Sequence, residues 1–238
     1  MQILPDETSL LRLLQLADSA LPVGGSAHSY GLETLAQEGS LAPENLEDFL
    51  RDYLEETGVL DAAFVRRAWS GVGFTTNGRG PHWDQRPTPQ NEAFDRSLAV
   101  AARQALSAEY GARRLARESR DASLKLGRRL AGLVDDVFSA PLFEPGLHYC
   151  IVFGAAGALF GASQNATVLG FLHQSIAGLV SACQRLMPLG QSAAARILWN
   201  LKLAMVAAAR CEEVWCFSPY PELASMRHGS LGTRLFIS

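Results

Sequence analysis

Apolar residues recur along most of this chain at the three- and four-residue spacing of helices. Leu10, Leu13, Leu14 and Ala17 form a first stripe, with Thr8 or Ser9 placed to cap it and Pro22-Val23-Gly24-Gly25 to end it. A second helix is expected from Ser26 to about Gly39. In the third, Pro43 and Glu44 precede Leu46, Phe49, Leu50, Tyr53 and Leu54, which lie on one face. A fourth, short helix follows Gly58 and runs to about Trp69. Residues 70–91 are dense in Gly, Pro, Asn and Thr without an apolar period, which predicts a long mobile loop. Helical patterning returns near Glu92 and is clearest from Ala108 to Val137, where Ala122, Leu126, Leu130, Leu133 and Val137 share a face. Pro141 and Pro145 interrupt it. Three further helices are expected at 147–161, 164–187 and 191–216, the last two separated by Pro188-Leu189-Gly190. Residues 219–238 are short and mixed and end on RLFIS. Strand-like runs are few. The pattern predicts an all-α, single-domain bundle of about eight to ten helices spanning 1–238.

Between Glu144 and Arg185 the chain carries no Asp, Glu, Lys or Arg. Residues 146–162 and 166–183 could form a transmembrane hairpin, with Gly157 and Gly161 at the spacing of close helix contacts. Each run is short for a bilayer, contains His148, Gln164, Asn165, His173 and Gln174, and lacks basic flanks. Two central helices of a water-soluble bundle fit this composition better. Hydrophobic residues at 48% and charged residues at 19% suit a globular chain, and a net charge of −3 exerts no general pull on nucleic acid or anionic membrane. Acidic residues arrive by Asp6, against a signal peptide. Cys150, Cys183, Cys211 and Cys216 have no C-x-x-C spacing and read as reduced thiols. A cytoplasmic protein is expected.

The chain lacks a phosphate-binding G-x-x-x-x-G-K-[ST] loop, an H-E-x-x-H helix and a G-x-S-x-G elbow. Its five histidines, His28, His82, His148, His173 and His228, stand far apart, and no metal site is predicted. Residues 113–129 hold seven basic side chains against Glu118 and Asp121. They suit a solvated face with pairs such as Arg117–Asp121, or a surface for an acidic protein, better than a nucleic-acid surface, since aromatics are absent.

Several segments, in order, resemble the urease accessory protein UreF family. Leu14-Gln15-Leu16-Ala17, Leu21 to Gly25 and His28 to Glu33 resemble its opening signature, and Arg120 to Leu130 its R-x-x-S-x-x-x-G-x-x-L helix. His148-Tyr149 with Val152-Phe153-Gly154, and Ser181 to Gln191, resemble two later segments. Thr233 to Ser238 is similar to its usual S-R-L-F-x-S ending. Ser26 stands where many members carry an aromatic, and His228 lacks the following Glu common before that ending. The resemblance implies a non-catalytic scaffold in urease maturation. Such a scaffold is all-α and homodimeric, binds UreD (also called UreH), and recruits the GTPase UreG to deliver nickel to apo-urease. Nickel would be cargo, with no resident cofactor and no nucleic-acid or membrane partner. The partner-binding candidates are His28, Ser29, Tyr30, Glu33, Arg185, Gln191, Arg234, Leu235 and Phe236. Residues 22–33 read equally as a helix joint with Leu32 packed inward or as an exposed partner face. Arg185 reads as an interfacial or a structurally paired charge. The tail at 219–238 is expected to dock on UreD, the alternatives being that it folds back on its own bundle or is disordered when alone. The rival to the whole reading is a small helical enzyme built on His148, His173 and Glu33.

Overall fold

The computed structural model describes residues 7–71, 96–139, 141–212 and 219–237. Most of the expected loop at 70–91, from residue 72 on, and Cys216 lie outside them. Among the described residues the chain forms helices and turns without strands. They are α1 (Glu7–Leu16), α2 (Leu32–Gln37), α3 (Leu46–Tyr53), α4 (Val59–Ser70), α5 (Arg96–Arg113) and α6 (Arg117–Phe138), then α7 (Tyr149–Leu159), α8 (Gln164–Leu186), α9 (Gln191–Asn200), α10 (Lys202–Arg210) and α11 (Pro219–Arg227). With α3 and α4 continuous through the segment between them, the described residues hold ten helices, within the expected range.

The uncharged run supplies the centre. Nearly every residue of α7 is buried, as is every residue of α4 from Val59 to Val65. These two helices make the most extensive contact in the bundle, and α5, α6 and α8 cover them. A helix apolar all round has to be enclosed in this way. The α8 helix is long and apolar enough to cross a membrane by length and composition, and half of that stretch is buried inside the bundle. One core cluster runs from Leu13 through Phe64, Phe153 and Leu172 to Phe236.

The close approach of α4 and α7 depends on Gly154, where a Cβ would collide with the Val65 carbonyl oxygen and lie 3.0 Å from the Ala68 Cβ. Gly154→Ala is therefore expected to destabilise the fold by about 1–3 kcal/mol through overpacking. Thermal unfolding would register this as a fall in Tm of about 2–4 °C per kcal/mol.

Several expected boundaries move. The third and fourth helices are continuous, joined by a π-helical segment at Leu54–Gly58, because Gly58 keeps helical angles (φ −62°, ψ −40°). The second helix starts at Leu32 rather than Ser26. Gly25–Ala27 is a 3₁₀ turn, and Tyr30 and Gly31 take positive φ of 50° and 89°, which a helix excludes. The 108–137 stretch is broken at 114–116, where Ala116 is extended. Val137 is 66% exposed, and Phe138 turns inward instead to stack on Phe160. The single helix expected at 191–216 is two, α9 and α10, and the second ends at Arg210. Leu10 and Leu14 face outward on α1, and Leu13 and Leu16 face the core.

Candidate functional site

The C-terminal module, α11 and residues 228–237, is fastened to the bundle by polar groups. The α11 residues that face inward are Pro221, Glu222, Ala224 and Ser225. Tyr220, Leu223 and Met226, three residues apart, are each nearly half exposed. The helix is thus turned inside out, with its large apolar side chains toward solvent. It lies so close to Gly31 that a Cβ there would be 2.5 Å from the Pro221 carbonyl oxygen, and the positive φ of Gly31 also suits only glycine.

Two buried clamps hold the module. In the first, Arg114 Nη2 donates to Glu222 Oε1 at 2.7 Å, and the Ala116 N–H donates to Glu222 Oε2 at 2.5 Å. Asp61 adjoins this pair. Tyr110 donates its hydroxyl to Asp61 Oδ1 at 2.6 Å, and Arg114 Nη1 lies 4.0 Å from the same oxygen. Burial raises the Asp61 carboxyl above its ordinary value in spite of Arg114 and the Tyr110 hydroxyl. By distance the tighter partner of Arg114 is Glu222, at 2.7 Å against 4.0 Å for Asp61.

In the second clamp, Glu33 on α2 is fully buried and receives three hydrogen bonds. They come from the backbone N–H groups of Leu235 (2.5 Å) and Phe236 (3.2 Å) and from His228 Nε2 (2.7 Å). Burial alone would raise the Glu33 carboxyl, but the Leu235 N–H, the His228 ring and the Phe236 N–H outweigh it and hold it below its usual value. Phe236 is 5% exposed, with the Arg185 guanidinium 4.3 Å from its ring centre. The Ile237 N–H donates to the Ala27 carbonyl at 2.9 Å, and Gln37 donates to the Thr233 carbonyl at 3.0 Å. Arg227 forks onto Glu38 at 2.9 and 2.8 Å. Leu235 and Ile237 point outward, 72% and 62% exposed.

The expected site residues therefore divide. Glu33, Arg185 and Phe236 come together with the tail, which folds back on its own bundle while showing Arg234 and Leu235 to solvent. The exposed face expected at 28–33 is corrected: His28, Ser29 and Glu33 are buried, and Tyr30 is partly buried. The chain turns at Tyr30 and Gly31, with Gly31 packed against α11 and His28 turned toward a cavity in the bundle. Burial, with Lys125 and Arg129 nearby, lowers the His28 pKa to about 4, so the ring is neutral at physiological pH. Gln191 opens α9 and is exposed. The basic run 113–129 is not one face. Arg114 is buried, Arg120 donates to the carbonyls of Arg114 and Leu115, and Arg129 donates to the Val23 carbonyl. Arg117 pairs with Asp121 at 3.4 Å, as its spacing predicts.

Nor do the residues of the rival enzyme reading converge. His173 is exposed on α8, Glu33 is engaged with the tail, and His148 packs on Tyr110 with ring centres 4.9 Å apart. Burial, then Arg114 and Arg120, lowers the His148 pKa to about 4. A cavity of about 150 Å³ does open in the bundle beside His28, Tyr30, Tyr53, Asp61, Tyr110 and Arg114, and none of His148, His173 and Glu33 lines it. Among the described residues no group of three or more His, Cys, Asp or Glu is arranged to hold a metal ion.

Asp61 on α4, Tyr110 on α5, Arg114 in the link after α5 and Glu222 on α11 signal nothing locally in the sequence and were missed. Also missed was the outward stripe of α11, whose three-residue spacing of Tyr220, Leu223 and Met226 was a usable signal.

The UreF family model matches residues 41–202. A urease accessory protein UreF from Rhodopseudomonas palustris is 31% identical, the alignment covering 97% of this chain and 91% of its own length. Others from Synechocystis and Nostoc are 30% and 29% identical, each covering 96% of this chain and 97% and 95% of their own lengths. By that match over 41–202 and by relatives aligned over nearly its whole length, this chain belongs to the UreF family of urease accessory proteins.

Proposed function

We propose that this chain is a non-catalytic cytoplasmic scaffold. In this reading it docks on UreD through its C-terminal module and, with UreD, recruits the GTPase UreG for nickel insertion into apo-urease. The observation that carries the reading is the inside-out C-terminal module. Buried ionic and hydrogen-bonded clamps fix it in place, while Tyr220, Leu223, Met226, Leu235 and Ile237 are left facing solvent. Exposed apolar side chains on an anchored element suit a protein partner with an apolar surface. Arg234 at the edge of the patch can fork onto a carboxylate of that partner. Nickel is cargo in this reading, and the GTP chemistry belongs to UreG. The scaffold acts as a homodimer, with Arg185 locking the dimer or meeting the GTPase and Gln191 a further partner-binding residue.

Deleting the gene in nickel-fed cells is expected to leave urease accumulated but inactive, and restoring the intact gene should return activity. Fully active urease in the deletion strain would overturn the proposal.

A further inference from the structure

We propose that Glu33 is the positioning residue of the docking segment, fixing the register from which Arg234, Leu235 and Ile237 meet the partner. The inference rests on the docking reading above and adds the means by which the tail is held ready.

Residues 231–237 form no regular secondary structure, so each backbone group needs a specific partner. The consecutive N–H groups of Leu235 and Phe236 both find theirs in the Glu33 carboxylate. Along this segment exposed and buried side chains alternate, Leu235 and Ile237 outside and Phe236 inside. Pinning these two amides therefore decides that Phe236 enters the core beneath Arg185 while Leu235 and Ile237 remain outside. A slip of one residue would exchange the two sets, burying Leu235 and exposing Phe236. The same carboxylate takes the His228 ring at the end of α11, which ties the helix and the tail to one buried point. Glu33 is fully enclosed, so it acts on the partner only through the tail.

A tail spread over several registers binds more weakly in inverse proportion to the fraction in the competent one. Glu33→Gln replaces one acceptor oxygen by a donor NH₂, which faces the Phe236 N–H and the His228 ring at the Oε2 position or the Leu235 N–H at the Oε1 position. In the purified full-length protein it is expected to speed hydrogen exchange at the Leu235 and Phe236 amides roughly tenfold or more, with exchange in α4 and α7 unchanged. Binding to purified UreD should weaken as the competent register is depopulated, tenfold where only about a tenth of the molecules keep it. A second pair of variants leaves the buried carboxylate in place. Leu235→Ala keeps the N–H, whereas Leu235→Pro removes it. Only the proline variant should speed exchange at Phe236, and it should bind UreD more weakly than the alanine variant. Unchanged exchange in both Glu33→Gln and Leu235→Pro would overturn the latch. Faster exchange with undiminished UreD binding would overturn its positioning role. Failure of the docking reading itself looks different: the wild-type chain would not bind UreD at all, whatever the exchange rates.

Discussion

Replacing Arg114 with methionine is expected to lower the unfolding free energy by about 3–5 kcal/mol, the range seen when one partner of a buried ion pair is removed. The substitution leaves Glu222 enclosed without its 2.7 Å cation, and takes from Asp61 the positive charge 4.0 Å away. Methionine fills similar volume, so the loss reports charge rather than a void. Combining Arg114→Met with Glu222→Gln should recover much of it, since the stranded carboxylate is then gone. Urea denaturation of the single and double variants measures both numbers. A single-variant loss below about 1 kcal/mol, the scale of an exposed pair, would mean that Arg114 does not anchor α11.

Ending the chain at Gly232 is expected to abolish UreD binding while circular dichroism remains that of a helical bundle. The truncation also removes Phe236, whose burial contributes roughly 1.5–3 kcal/mol. A modest fall in Tm should therefore accompany the loss of binding, whereas a freely dangling tail would leave Tm unchanged. Undiminished UreD binding by the shortened chain would remove the tail from the interface. Collapse of the helical signal would mean that residues 233–238 hold the fold rather than dress its surface.

How much of this was legible in the sequence depended on how local each cause is. The uncharged stretch from 145 to 184 identified the central helices, because a long run without charge has to be enclosed somewhere. Apolar spacing found nearly every helix in order. Its boundaries failed where tertiary packing overrode local signals. Gly58 sits inside a continuous helix, and Leu201 separates two helices that periodicity ran together. The tail was recognised as unusual because Leu235 and Phe236 stand so near the end, yet their division into one outward and one inward side chain depends on Glu33. That carboxylate is 202 residues from Leu235 and 195 from His228. Arg114 misled for the same reason. In sequence it is one of seven basic residues, and its Glu222 partner lies more than a hundred residues away. Pairings of that span leave no periodicity to read.

The inside-out packing of α11 also bears on ionic strength. Salt screens exposed charges within about a Debye length, some 8 Å at physiological concentration, and reaches enclosed pairs far less. The Arg114–Glu222 clamp, with both side chains 6% exposed, is of the enclosed kind. The surface it supports is apolar, and contacts of that type are not weakened by screening. Lys125, Arg128 and Arg129 on α6 are exposed cations, and anything they hold is open to competing ions. Washing an assembled complex with concentrated sodium chloride would thus sort its members by attachment, releasing those held by α6 and retaining those seated on α11.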